Sequence, residues 1–206
     1  MIIKDLSFVT YTIDNIIEKF VFNENDIVFA WPNNNELLSK YSFTYGELTY
    51  KGMCNIFNSL FQDDDVFYDL GSGNGRLTIG VNLKYNIKSV GIEFVKSRAL
   101  LANNLLEKLQ VFDNSPDLSN IHLIHGDFFE NNFSDGTIFY MCNTTWKHET
   151  IILIVDKIIQ ESQKFKYIIS QVTIKHDKLI EDKIIEAPTT WNNAVRWIFY
   201  KGISDP

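Results

Sequence analysis

Val66-Phe67-Tyr68-Asp69-Leu70-Gly71-Ser72-Gly73-Asn74-Gly75-Arg76 decides the fold. Val66–Leu70 is short, apolar and β-prone, which reads as a buried parallel strand. Gly71, Gly73 and Gly75 fall at alternate positions, so the loop can take positive φ and let a ligand lie against its backbone. The amphipathic stretch from Arg76 to about Tyr85 reads as a helix whose first N–H groups face that loop. A strand, a glycine loop and a helix start make a nucleotide-type site at the carboxyl end of a strand. The dinucleotide fingerprint needs glycine at its first, third and sixth positions. Counting from Gly71 the sixth position is Arg76, and counting from Gly73 it is Thr78, so a dehydrogenase is disfavoured.

The 206 residues suit one α/β domain with at most a short extension. Hydrophobic content of 45% and charged content of 22% are those of a globular protein. Cys54 and Cys142 give no disulfide framework, which points to a reducing, intracellular setting. The longest apolar run, Ile151–Ile159, is interrupted by Asp156 and Lys157 and is too short for a bilayer. Asp5 and Asp14 interrupt the N-terminal apolar residues, and no signal peptide is expected. A net charge of −7 argues against an autonomous nucleic-acid binder and is compatible with a basic protein partner. His122 and His125 flank a strand without further ligands nearby in sequence, so no metal site is expected.

Ile13, Ile16, Ile17 and Phe20 repeat at helical spacing and predict a helix over 11–20. Trp31-Pro32 marks a break, 35–40 a short helix, and 41–47 an aromatic loop. Met53, Ile56, Phe57 and Leu60 predict a helix within 48–61. The second strand, 89–94, ends at Glu93, about twenty residues past the loop, where such folds place an acid for ribose hydroxyls. A helix over 96–110 and a third strand over 121–124 follow. Asp127 and Phe128 come next, an acid and an aromatic that can hold adenine. A fourth strand (137–142), a helix (147–163), a fifth strand (167–172) and a terminal hairpin near 184–185 and 195–200 complete the pattern. The expected fold class is α/β: a seven-stranded, mostly parallel, Rossmann-like sheet with helices on both faces and a small helical N-terminal extension. Residues 1–46 would be the extension or lid, and residues 47–206 the catalytic domain.

Asp69-x-Gly71-x-Gly73-x-Gly75 resembles the loop of class I methyltransferases that bind S-adenosylmethionine (SAM). SAM has a cationic sulfonium and an amino-acid tail in place of a pyrophosphate, so a carboxylate beside the loop suits it. The chain resembles one family more closely, the histone lysine methyltransferases of the disruptor-of-telomeric-silencing type, which lack a SET domain. Tyr45-Gly46-Glu47 precedes a helix and an acidic turn ahead of the glycine loop; Val90-Gly91-Ile92-Glu93 and Gly126-Asp127-Phe128 follow. Ile138-Phe139 then leads to an asparagine and an aromatic, and Trp191, Val195 and Trp197 match the family's channel region. The likeness covers residues 41–200.

That resemblance implies roles. Tyr45 and Glu47 would close over SAM; Asp69 and Gly71 would hold its amino-acid tail, with Gly73, Gly75, Arg76 and Asn143 also binding the cofactor. Glu93 would take the ribose, and Asp127 with Phe128 the adenine. The family's Asn-Asn pair near the methyl group corresponds to Cys142-Asn143 if Trp146 is aligned with the family's aromatic. If the asparagines are aligned instead, Asn143 takes the first place, and Asn143 is the candidate chosen. Trp146 and Trp197 would wall the channel for the substrate amine, with Asn143 and Tyr45 completing the catalytic set. The implied reaction is methyl transfer from SAM to a deprotonated lysine of a histone or similar basic protein, leaving S-adenosylhomocysteine. A nuclear location would follow if chromatin is the substrate. No lysine-rich segment of the kind the family uses to grip nucleosomal DNA is present. Two other readings stand beside this one: a methyltransferase for another protein, RNA or small molecule, and a non-catalytic SAM-binding scaffold.

Overall fold

Successive residues of a strand point to opposite faces of its sheet. In this chain both faces are apolar, which demands helices on each side. In the computed structural model, which describes residues 12–23, 46–110 and 116–203, that demand is met. The strands are β1 (Val66–Leu70), β2 (Lys88–Glu93), β3 (Ile121–His125), β4 (Ile138–Met141), β5 (Tyr167–Ser170), β6 (Leu179–Ala187) and β7 (Val195–Gly202). They form one sheet in the order β3-β2-β1-β4-β5-β7-β6. Pairing is parallel from β3 through β5, and β7 runs antiparallel to both neighbours. The sheet is thus mixed but mostly parallel.

Strand order reverses direction between β1 and β4. β1 leads outward to β2 and β3 on one side, and β4 leads to β5 on the other. Loops leaving the carboxyl ends of β1 and β4 therefore diverge and open a crevice, the usual place for a ligand in such sheets.

Phe67, Ile138, Tyr140, Ile169, Trp197 and Phe199 face one side of the sheet. There they meet α2 (Tyr50–Phe57), α3 (Arg76–Tyr85) and α4 (Lys96–Leu109). Their neighbours Tyr68, Phe139, Ile168, Ile198 and Tyr200 face the other side, against α5 (His148–Glu161). Thr49 starts α2 by accepting a hydrogen bond from Gly52 N–H at 3.0 Å. α5 buries Ile151, Ile154, Val155 and Ile158, one apolar stripe of a two-faced helix.

The N-terminal helix departs from its expected form. α1 (Ile13–Ile16) is one α-turn that widens into a π-turn over Ile17–Val21. The wider turn shifts the buried stripe to Ile16, Ile17, Val21 and Phe22, while Ile13 is exposed. Asp65, in the acidic turn ahead of β1, is buried, accepts from Gln62 N–H at 2.8 Å and pairs with Lys166 at 2.8 Å. Trp31-Pro32, the 35–40 helix, Tyr45 and most of the 41–47 loop lie outside the described residues.

Gly91 of β2 sits beside Asp69 of β1 in the register. A Cβ at Gly91 would lie 2.5 Å from Thr78 Oγ1 and 2.9 Å from Ser72 Cβ. The missing side chain makes room for α3 and the glycine loop to approach the sheet. Gly91→Ala is expected to destabilise the protein by about 1–3 kcal/mol through overpacking, measured by urea unfolding.

Candidate active site

The glycine loop leaves β1 and folds back over β2. Gly71 N–H and Ser72 N–H both donate to the Ile92 carbonyl, at 2.9 and 3.1 Å. Gly71, Gly73 and Gly75 have φ of 81°, 57° and 74°, in the left-handed region. Gly75 is doubly constrained, since a Cβ there would fall 2.8 Å from Ala102 Cβ on α4.

Glu93 ends β2 and ties this loop down. Its Oε2 accepts from Gly73 N–H at 2.8 Å and its Oε1 from Val95 N–H at 2.7 Å. Burial raises the carboxyl above its ordinary value, opposed by these two N–H groups, the Arg98 guanidinium and His125. Arg98, from the first turn of α4, is itself buried and lines the same cleft. Each carboxylate oxygen retains acceptor capacity for a ligand hydroxyl.

Asp69, one residue from the end of β1, is 3% exposed. Its Oδ2 accepts from the Thr78 hydroxyl at 2.9 Å. Burial drives its pKa up to about 7; the Thr78 hydrogen bond opposes this, and the carboxylates of Glu93 and Glu47 add to it. Glu47 pairs with Arg76 at 3.3 Å, both side chains nearly buried. Glu93 and Glu47 thus each have an arginine near, while among the described residues Asp69 has only a hydroxyl.

On the β4 side, Tyr140 and Cys142 line the cleft. Cys142 Sγ lies 3.4 Å from Gln171 Oε1 and 3.8 Å from the Gly46 carbonyl. Burial, with the carboxylates of Asp69 and Glu47, pushes the thiol up to about 12, so at neutral pH it is a neutral group and not a nucleophile.

The chosen Asn143 lies one residue beyond this wall. Its side chain is fully buried: Nδ2 donates to Ser170 Oγ at 2.9 Å, and Oδ1 accepts from Gln171 N–H at 3.1 Å. The carboxamide ties the end of β4 to the end of β5, and Cys142 faces the cleft in its stead. Trp197 is likewise in the core, stacked on Tyr140 with ring centroids 4.8 Å apart. Trp146 does line the cleft, stacked on Phe128 at 5.2 Å and close over Gly71. The two tryptophans expected to share a channel therefore belong to different surroundings. Asp127 accepts from Phe129 N–H at 2.9 Å and caps the turn that presents Phe128.

Glu47, Asp69, Gly71, Gly73, Glu93, Phe128 and Trp146 are thus brought together around one cleft. Tyr140, Arg98 and Phe22 are cleft residues that sequence reasoning missed. Arg98 left a signal: it shares a helical stripe with Ala102, Leu105 and Leu109, and a charge on a buried stripe asks for a partner.

The raised pKa of Asp69 fixes a pH dependence. An unfolded aspartate titrates near 3.9. The folded state holds the extra proton between that value and about 7, so stability falls as pH rises through this window and then levels off. Asp69→Asn should match the wild type near pH 4 and exceed it by roughly 2–4 kcal/mol above pH 7, measured by denaturant unfolding across pH.

A model of the histone methylation protein DOT1 family matches residues 29–197. The chain is 26% identical over 125 residues to a histone-lysine N-methyltransferase, H3 lysine-79 specific, from Chaetomium globosum, covering 58% of this chain and 23% of that protein. It is 34% identical over 79 residues to a protein-lysine N-methyltransferase of Saccharolobus islandicus, covering 38% of this chain and 45% of that protein. The matches thus span less than half the length of either relative. Among solved structures, an RNA methyltransferase from Salinibacter ruber, in complex with S-adenosyl-L-homocysteine, superposes with a TM-score of 0.53 at 17% identity. That match covers 85% of this chain and 95% of that one. The pyocyanin biosynthetic protein PhzM superposes with a TM-score of 0.57 at 13% identity, covering 74% and 55%. These likenesses establish the fold, a Rossmann-like class I methyltransferase sheet. With the family match spanning most of its length, the chain belongs to the DOT1 histone methylation family.

Proposed function

We propose that the cleft binds SAM and that the protein is a SAM-dependent lysine N-methyltransferase acting on a histone or a similar basic protein. One observation carries the cofactor reading. Asp69 is a buried carboxyl in the cleft wall with no cation beside it among the described residues. A ligand bearing an ammonium group near the glycine loop relieves that deficit, whereas a pyrophosphate would aggravate it. The amino-acid end of SAM brings such an ammonium. Glu93 has acceptor capacity left for ribose hydroxyls, and Phe128 offers an aromatic ring for adenine.

When bound, SAM supplies an electrophilic methyl group on a sulfonium. The chain's residues have three tasks: to hold the two reactants in line, to exclude water, and to receive the amine uncharged. A lysine amine has a reference pKa near 10.4. Apolar walls free of ionised groups favour its deprotonated form. The β4 side meets that need, because Tyr140 and Cys142 are held neutral by burial. Asn143 is a positioning residue in this reading. By locking β4 to β5 it fixes Cys142, which lines the cleft, and Gln171 beside it. The family of the chain and the lysine methyltransferases among its relatives support lysine as the acceptor. The histone as the protein carrying it, and a nuclear setting, rest on the family and on the H3 lysine-79 specific relative.

The test is transfer of labelled methyl from SAM to intact nucleosomes, with free histones in parallel and Asp69→Ala as control, read by mass spectrometry. Methylated lysine on either substrate, lost in the control, is expected. SAM binding without lysine methylation of either would overturn the histone reading. A second expectation concerns the cofactor alone. If its ammonium pairs with ionised Asp69, affinity for SAM should fall about tenfold per pH unit below about pH 7, measured by calorimetry.

A further inference from the structure

The segment Thr12–Asn23 reaches the cleft through one side chain. Ile16, Ile17, Val21 and Phe22 are buried in the core layer that holds α2 and α3. Gly80, on α3, makes the seat for Phe22: a Cβ there would lie 2.6 Å from Phe22 Cε2 and 3.0 Å from Met53 Sδ. From this seat Phe22 lines the same cleft as Glu47, Leu48, Asp69 and Leu77.

A polar cluster holds the segment in that place. Asp14 Oδ1 accepts from the Tyr50 hydroxyl of α2 at 2.8 Å and from Lys84 Nζ of α3 at 2.7 Å. Lys84 Nζ also lies 3.3 Å from the Tyr50 hydroxyl and 5.6 Å from its ring centroid. The Tyr50 ring in turn stands 6.0 Å from the ring of Phe22. One carboxylate oxygen thus gathers three elements, and contacts run from it through Tyr50 to the cleft. The Lys84 and Tyr50 hydrogen bonds hold the Asp14 carboxyl below its ordinary range, so it stays ionised at neutral pH.

We propose that Phe22 is a wall of the cofactor cleft, and that Asp14, through Tyr50 and Lys84, is the positioning residue that seats it. The inference rests on the cleft being the SAM site. It makes the N-terminal segment part of cofactor binding instead of a separate lid. Phe22 adds apolar surface to a cleft whose walls also carry the carboxylates Glu47, Asp69 and Glu93, and the aliphatic part of an amino-acid tail needs an apolar neighbour. The cluster is partly exposed, with Asp14 54% accessible, so its effect on affinity is modest and salt-sensitive.

The experiment measures S-adenosylhomocysteine affinity of the full chain by calorimetry, with melting temperature and steady-state kinetics alongside. Phe22→Ala should weaken binding about tenfold, and Phe22→Leu, which keeps apolar bulk and guards against misfolding, about threefold or less. Asp14→Asn removes a charge outside the cleft. It should weaken binding about two- to fivefold and raise KM for SAM while kcat stays within about twofold. The double exchange Asp14→Lys with Lys84→Asp should recover most of the affinity lost on Asp14→Lys alone. A wild type that binds while Phe22→Ala and Asp14→Asn bind equally well, even with lowered melting temperatures, would reduce the segment to packing and overturn the inference alone. A wild type that does not bind S-adenosylhomocysteine would overturn the cofactor reading and this inference with it.

Discussion

The site depends on the Glu93 carboxylate accepting from the N–H groups of Gly73 and Val95. Those donors lie on opposite sides of the last residue of β2, one in the glycine loop and one at the entry to α4. A single buried charge therefore fixes the path of the loop and the start of a helix together. Charge-assisted bonds of this kind are about twice as strong as neutral ones. Losing the carboxylate would leave two backbone donors without their acceptor in a poorly solvated place. The loop glycines can then adopt left-handed conformations without an ordering side chain of their own, because the order comes from β2.

The price of this arrangement falls on Asp69. Three carboxyls crowd one cleft, and two of them have an arginine beside them: Arg76 for Glu47 and Arg98 for Glu93. Asp69 has the Thr78 hydroxyl, and Gly91 leaves the space in which that hydrogen bond forms. Buried charge without compensation is destabilising, so this carboxyl is held in place by the fold at a cost to the fold. Such strain at a cleft is common where a ligand supplies the missing charge.

Much of this was legible in the sequence, for definable reasons. The glycine-loop strand and the following helix carry strong local signals, and they span the residues expected, Val66–Leu70 and Arg76–Tyr85. Glu93 was legible because spacing along a βαβ unit is fixed by the helix that crosses it. The sequence was silent where a single residue of rotation decides the outcome. Beyond Met141 the strand has ended, so alternation no longer says whether Cys142 or Asn143 faces the cleft. A bond pattern reaching 27 residues onward, to Ser170, decides it. Trp197 posed the same difficulty in β7. Its face became known only once β7 was placed between β5 and β6 with Phe199 on the same side. Phe22 was hidden for another reason: the π-turn adds a residue to the helical period and carries the buried stripe past Phe20.

The distribution of charge across the cleft also separates two requirements that oppose each other. Cofactor binding, as proposed, needs carboxylates; accepting a lysine as a free amine needs their absence, because a nearby anion keeps an ammonium protonated. The carboxylates Asp69 and Glu93 come from β1 and β2, and Glu47 from the segment before α2. The β4 side contributes a phenol and a thiol, both held neutral by the same burial that raises Asp69. Desolvation thus acts on both halves of the cleft with different results. It leaves a carboxyl that titrates near neutrality on one side and keeps weak acids uncharged on the other. An ammonium bound against Asp69 would complete the separation, since it would cancel the charge closest to the β4 wall and leave the amine facing neutral groups.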